Sequence, residues 1–206
     1  MIENRKLPAA PVVRIPTLAE AMLDNLMTPS VATSAVTKAA LVVFGSLLLA
    51  ASAQFEIPLY PVPVTGQTLV VLLIGMTYGL RLGGITMAAY LFEGALGLPV
   101  FAGGAAGVAV LMGPTGGYLF GFLLAGVTMG YLAERGMGRT VASTIAAMAI
   151  GNFVIYLCGA SWLANFFGFG QAIAAGVLPF LYIDALKLVV AAGLMPLAWR
   201  AVNSVK

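Results

Sequence analysis

The apolar run from Val177 to Leu197, VLPFLYIDALKLVVAAGLMPL, carries two opposite charges inside it, Asp184 and Lys187. About twenty residues of helix span the hydrocarbon core of a bilayer, and Pro179 is placed to open such a helix. Both charges then lie at membrane depth. Facing lipid alone, each would cost ~2.5–3.5 kcal/mol on an insertion scale, so the pair must face protein, water or each other. The i, i+3 spacing puts them on one side of the helix with Phe180, Leu188 and Ala191. Two readings are open: an ion pair that pins this helix to its neighbours, and a site for a polar solute. A buried pair is a poor source of stability, and ionisable residues inside membranes mark solute sites, so the second reading is the stronger.

Hydrophobic residues make up 61% of the 206-residue chain and charged residues 8%. A soluble domain carries about 25% charged residues, so an integral membrane protein is expected. With Cys158 as the one cysteine, no disulfide forms within the chain. With no histidine, the usual zinc and copper sites lose their main ligand, and neither a metal nor a cofactor is expected. Asp184 has no histidine, matched carboxylate or candidate nucleophile beside it in sequence, which argues against an intramembrane enzyme with catalytic residues. The net charge of +3 does not point to nucleic acid, because the basic residues do not cluster on one soluble face.

Residues 1–35 read as a polar N-terminal tail without the apolar core and cleavage site of a signal peptide. Within it, Thr17 and Glu20 form a capping box that opens a short amphipathic helix. Its polar face carries Glu20 and Asp24, which argues against attraction to anionic lipid and makes docking on the protein's own cytoplasmic face at least as good a reading. The membrane domain covers 36–200, with a short tail at 201–206. Its expected spans are 36–55, 64–80, 83–98, 118–133, 141–163 and 177–197, an all-α architecture of six transmembrane helices. The proline-rich EIPLYPVPVTGQT forbids continuous helix between the first two spans. The glycine-rich stretch from Pro99 to Tyr118 is apolar enough for the bilayer, but such backbone survives there only where it lines a cavity. No repeat divides the chain into matching halves.

With the N-terminus inside, Arg5, Lys6, Arg14, Lys38, Arg81, Arg135, Arg139, Arg200 and Lys206 all fall on the cytoplasmic side, leaving Lys187 as the remaining basic residue. Both termini are therefore expected inside, and the proline loop and glycine-rich loop outside. The last helix then enters from outside, and a pocket at Asp184 and Lys187 opens outward. Other polar side chains have two readings each. Gln67, with Thr65, caps the second span or touches a ligand. Tyr90, Tyr118 and Tyr182 wall the pocket or anchor at the interface. Glu93 faces a ligand or pairs with Lys187.

Four segments carry a family resemblance: PVPVTGQT at 61–68, GALGLPVFAGG at 94–104, GPTGGYLFGF at 113–122, and Asp184 with Lys187. Together, in this order between Lys38 and Trp199, they resemble the BioY family, the substrate-binding S components of energy-coupling-factor (ECF) biotin transporters. The resemblance implies a multi-pass protein of a bacterial cytoplasmic membrane that captures biotin from outside. It also implies partners, a transmembrane coupling protein and ABC-type ATPase subunits, in keeping with the lack here of a G-x-x-x-x-G-K-[ST] phosphate loop. The alternatives are an S component for another small vitamin and a biotin transporter that acts without the coupling module. On this likeness Asp184 accepts from a ureido N–H, and Lys187 donates to the ureido oxygen or pairs with the valerate carboxylate. The loop holding Phe101, Gly103 and Gly104 is implied in binding, with alanine and glycine where some relatives carry a polar side chain.

The first span has one side of small residues, Ala35, Ala39, Val42, Ser46, Ala50 and Ala53, opposite Leu41, Phe44, Leu48 and Phe55. Small residues permit close helix packing in lipid. The stripe serves either the bundle itself or a partner, and the resemblance implies the partner, with Ser46 and Ala50 at its centre.

Overall fold

The computed structural model describes residues 14–32 and 34–204. Arg5, Lys6 and Lys206, which enter the charge argument, lie outside these residues. The first helix, α1 (Leu18–Leu26), opens with the expected capping box. Thr17 Oγ1 accepts from the Glu20 N–H, and the Glu20 carboxylate accepts from the Thr17 N–H at 2.9 Å. Leu18 and Ala21 turn inward, and Asn25 donates to the Val202 carbonyl at 2.9 Å, so α1 docks on the bundle. A short α2 (Pro29–Ala32) leads to α3 (Ala35–Gln54), capped by Ser34. The proline-rich connection that follows is closed by two short antiparallel strands, β1 (Glu56–Ile57) and β2 (Val64–Thr65).

The next helix, α4 (Gln67–Ala95), is broken at Gly79, where φ is 82° and ψ −178°. The Gln67 side-chain amide donates to the Tyr90 hydroxyl at 2.6 Å, whereas a straight helix would hold these residues about 34 Å apart. The two arms therefore fold back on each other. Side chains rarely adopt this φ, and a Cβ on Gly79 would lie 2.6 Å from Thr17 Cγ2 and 2.9 Å from Glu134 Oε1. Glu134 also accepts from the Leu80 N–H at 3.0 Å, capping the second arm. The sequence places this reversal between Leu80 and Gly83. The structure moves it to Gly79 because one left-handed residue and a carboxylate from another helix replace a loop.

A 3-10 turn (Ala102–Gly104) and α5 (Val108–Met112) form the glycine-rich connection to α6 (Gly116–Glu134). Three helices complete the chain: α7 (Val141–Phe167), longer than the expected span, α8 (Phe169–Gly176) and α9 (Leu178–Ser204). Among the described residues the protein is all-helical apart from the β1–β2 pair, with five helical segments long and apolar enough to cross a membrane, α4 counting as one.

The small stripe on α3 is a correction. Ser46 and Ala53 are 1% and 0% exposed, Ala50 is half-buried, and Ala39 is exposed. Ser46 donates to Glu93 Oε1 on α4 at 2.9 Å, and a Cβ on neighbouring Gly45 would lie 2.6 Å from Thr86 Cγ2. The centre of the stripe at Ser46 is thus packed on the protein's own fourth helix and Ala53 is buried, while Ala35 and Ala39 at its start stay exposed. The face of α3 left exposed is bulky instead, with Val36, Val43, Phe44 and Leu47.

Candidate functional site

A cavity of about 210 Å³ lies among β2, α4, the glycine-rich connection, α6, α7 and the start of α9. Its walls are largely apolar: Val62 and Pro63 from the first connection, Phe101, Ala102 and Ala105 from the second, then Leu119, Phe122, Ile155 and Phe180. Polar groups enter from Thr65, Gln67, Thr68, Thr115, Tyr118 and Tyr156. An apolar enclosure with a few placed polar groups is the usual form of a small-molecule site.

Asp184 and Lys187 sit one layer behind this wall. Asp184 is 2% exposed. Its Oδ1 accepts from Lys187 Nζ at 2.7 Å and from Thr68 Oγ1 at 2.9 Å, and its Oδ2 accepts from the Tyr156 hydroxyl. Lys187 Nζ also donates to the Thr65 carbonyl at 2.8 Å and to Thr68 Oγ1 at 2.7 Å. An ammonium has three N–H donors, so Lys187 is saturated; a carboxylate offers about four acceptor positions, so Asp184 retains one, on Oδ2. The pair is neutral as a whole, and its charge reaches the cavity through the hydroxyls of Thr68 and Tyr156. Close by, Asn152 Oδ1 is buried without a hydrogen-bond partner, beside a small space it shares with Lys187 and Thr68.

The other expected site residues divide. Gln67, Phe101 and Tyr118 line the cavity. Tyr118 donates to the Gly176 carbonyl at 2.7 Å and stacks on Phe180 with ring centroids 6.2 Å apart. Tyr90 lies behind Gln67: it donates to the Val100 carbonyl at 2.9 Å and packs edge-on against Phe101. Its work is to position Gln67 and the Phe101 loop. Gly103 and Gly104 are exposed, with φ of 63° and 71°, and it is their neighbours Phe101, Ala102 and Ala105 that form the wall. Glu93 meets neither Lys187 nor the cavity, because its carboxylate takes the Ser46 hydroxyl on the α3 side. Tyr182 is 86% exposed, in keeping with an interface anchor.

Sequence reasoning missed Thr68 and Tyr156, the two groups that join the ion pair to the cavity. The available signals were weak. Thr68 follows Gln67 within a segment already singled out, and Tyr156 is a hydroxyl at depth in an apolar helix, which needs a partner when buried.

The BioY family model matches residues 24–204. Among curated proteins, the chain is 42% identical over 147 residues to the biotin transporter BioY of Thermotoga maritima, covering 70% of this chain and 85% of that one. It is 41% identical over 140 residues to the probable biotin transporter BioY of Pyrococcus horikoshii, covering 68% and 82%. Among solved structures, it is similar to the S component for biotin from an ECF-type ABC transporter, determined at 2.1 Å, with a TM-score of 0.72 over 80% of this chain and 92% of that one. At 23% identity that likeness concerns the fold. A family match running from α1 to the end of α9, with relatives above 40% identity over most of their length, fixes the assignment: the chain belongs to the BioY family.

Proposed function

We propose that this protein captures biotin for uptake across the cytoplasmic membrane, as the S component of an ECF-type transporter. The observation that carries the reading is the floor of the cavity, where Thr68 and Tyr156 present the Asp184–Lys187 pair to an otherwise apolar enclosure. Biotin is apolar in its thiophane ring and polar at its ureido and carboxylate ends. One ureido N–H goes to the open acceptor position on Asp184 Oδ2, and the other to a lone pair of the Thr68 or Tyr156 hydroxyl, whose own protons are committed to Asp184. Gln67 and Thr115 stand at other points of the wall and are the groups available to the valerate end. The binding set is then Asp184, Thr68, Tyr156, Gln67, Phe101 and Tyr118, with Lys187 holding Asp184 in place.

With α4 taken as two arms, the protein crosses the membrane six times. Both termini lie in the cytoplasm of a bacterial cell, and the cavity opens outward. Support comes from Arg14, Arg135 and Arg139, which gather around Glu134 and α1 at the end of the bundle away from the cavity. A transmembrane coupling protein and ABC-type ATPase subunits supply the energy.

Cysteine labelling tests ligand and orientation together. In a Cys158→Ser background, Leu59→Cys and Ala105→Cys are expected to react with an impermeant thiol reagent from outside, and Ala105→Cys to be protected by biotin. Labelling from the cytoplasm alone would contradict the orientation; labelling indifferent to biotin would contradict the site.

A further inference from the structure

At the end of the bundle away from the ligand cavity, a second concavity of about 280 Å³ opens between the start of α7 and the end of α9. Its rim is polar, with Arg139, Thr140, Arg200 and Asn203; Val141 and Pro196 form its apolar side, and Trp199 its back. The Arg139 guanidinium lies 4.3 Å from the centroid of the Trp199 ring and donates to the Pro16 carbonyl at 3.3 Å, so it is held in place by the protein alone. Among the described residues, neither Arg139 nor Arg200 has an acidic partner, and Arg200 makes no side-chain hydrogen bond. Arg14, at the same end, by contrast holds both Glu20 and Glu134.

We propose that this concavity binds the phosphate of an anionic phospholipid headgroup. Two guanidinium groups share one cleft with low-dielectric walls, which concentrates positive potential where an anion fits. The arginine fork matches phosphate oxygens, and the amino end of the 27-residue α7 adds its positive dipole. The level is that of headgroups, since the concavity lies at the arginine-rich end of the bundle and exposed apolar side chains adjoin it, Val141 and Leu197, both more than half exposed. Basic pockets between spanning helices on the cytoplasmic side take such headgroups. A free phosphate ion shares the chemistry but lacks the acyl chains that this apolar surface would hold.

The test uses the full chain, purified in neutral detergent, with native mass spectrometry counting retained phosphatidylglycerol against phosphatidylcholine at equal mole fraction. Wild-type protein is expected to retain phosphatidylglycerol selectively. Arg200→Gln should weaken retention about fivefold and Arg139→Gln/Arg200→Gln by about that factor again. The charge-matched Arg81→Gln/Arg135→Gln variant should retain it as wild type does. Equal losses in the two double variants, or no preference over phosphatidylcholine, would overturn the proposal. So would displacement of the lipid by millimolar inorganic phosphate, because the site would then belong to the free ion. Arg200→Gln removes a side chain without protein partners, so its reading stands even if Arg139→Gln impairs folding.

Discussion

Two ion pairs at opposite ends of this molecule have nearly the same length and do different work. Lys187 meets Asp184 at 2.7 Å, with the side chains 15% and 3% exposed; Arg14 meets Glu20 at 2.8 Å, with 52% and 41% exposed. Between Arg14 and Glu20 water competes for both charges, and an exposed pair contributes about 0–1 kcal/mol. Around Asp184 there is little water to compete, so each group left without a partner carries its full desolvation cost. The contact distance is no guide to worth. What separates the pairs is what surrounds them, and the buried one is surrounded by hydroxyls that lead into a cavity.

The largest expected effect comes from breaking the buried pair. Asp184→Ala strands Lys187 and should destabilise the protein by about 3–5 kcal/mol while abolishing biotin binding. Replacing both partners, as Asp184→Leu/Lys187→Met, should recover stability to within ~1 kcal/mol of wild type without restoring binding. Thermal unfolding alongside ligand titration reads both. Recovery of binding in the apolar double variant would make the pair helix glue after all.

Intermediate effects are expected at two single groups. Tyr156→Phe removes a hydroxyl bonded to the carboxylate and should weaken biotin binding by about 1.5–3 kcal/mol, with a smaller change in unfolding temperature. A variant that binds as wild type does would remove Tyr156 from the floor of the site. Gly79→Ala forces a side chain into the left-handed turn between the arms of α4, against Thr17 and Glu134, and should cost about 1–3 kcal/mol of stability, read by chemical denaturation. The smallest effect belongs to the exposed pair. Arg14→Ala should cost less than Asp184→Ala, with the share owed to exposed Glu20, at most about 1 kcal/mol, lost in high salt and the share owed to the more buried Glu134 retained.

Much of this contrast was legible in the chain. Asp184 and Lys187 stand out because a charge inside an apolar run must be explained, and the Thr17–Glu20 box because capping is local in sequence. Tertiary pairing is not local. Nothing in the α3 stripe says which helix its small residues meet, and the pairing of Ser46 with Glu93, 47 residues away, turned a candidate partner surface into the protein's own core. The reversal at Gly79 was misplaced for the same reason, since the group that caps it, Glu134, comes from a distant helix. Thr68 and Tyr156 look like ordinary helix residues until α4 and α7 bring their hydroxyls to one carboxylate.

The central claim is that the buried pair serves a ligand, and calorimetric titration of the purified protein with biotin, in parallel with Asp184→Asn, tests it most directly. Asp184→Asn keeps the shape of the side chain and loses its charge. The account predicts saturable binding to the wild-type protein and at least about tenfold weaker binding to folded Asp184→Asn, the worth of one charge-assisted hydrogen bond. Equal affinity in the two proteins, or no binding to the wild type, would contradict it.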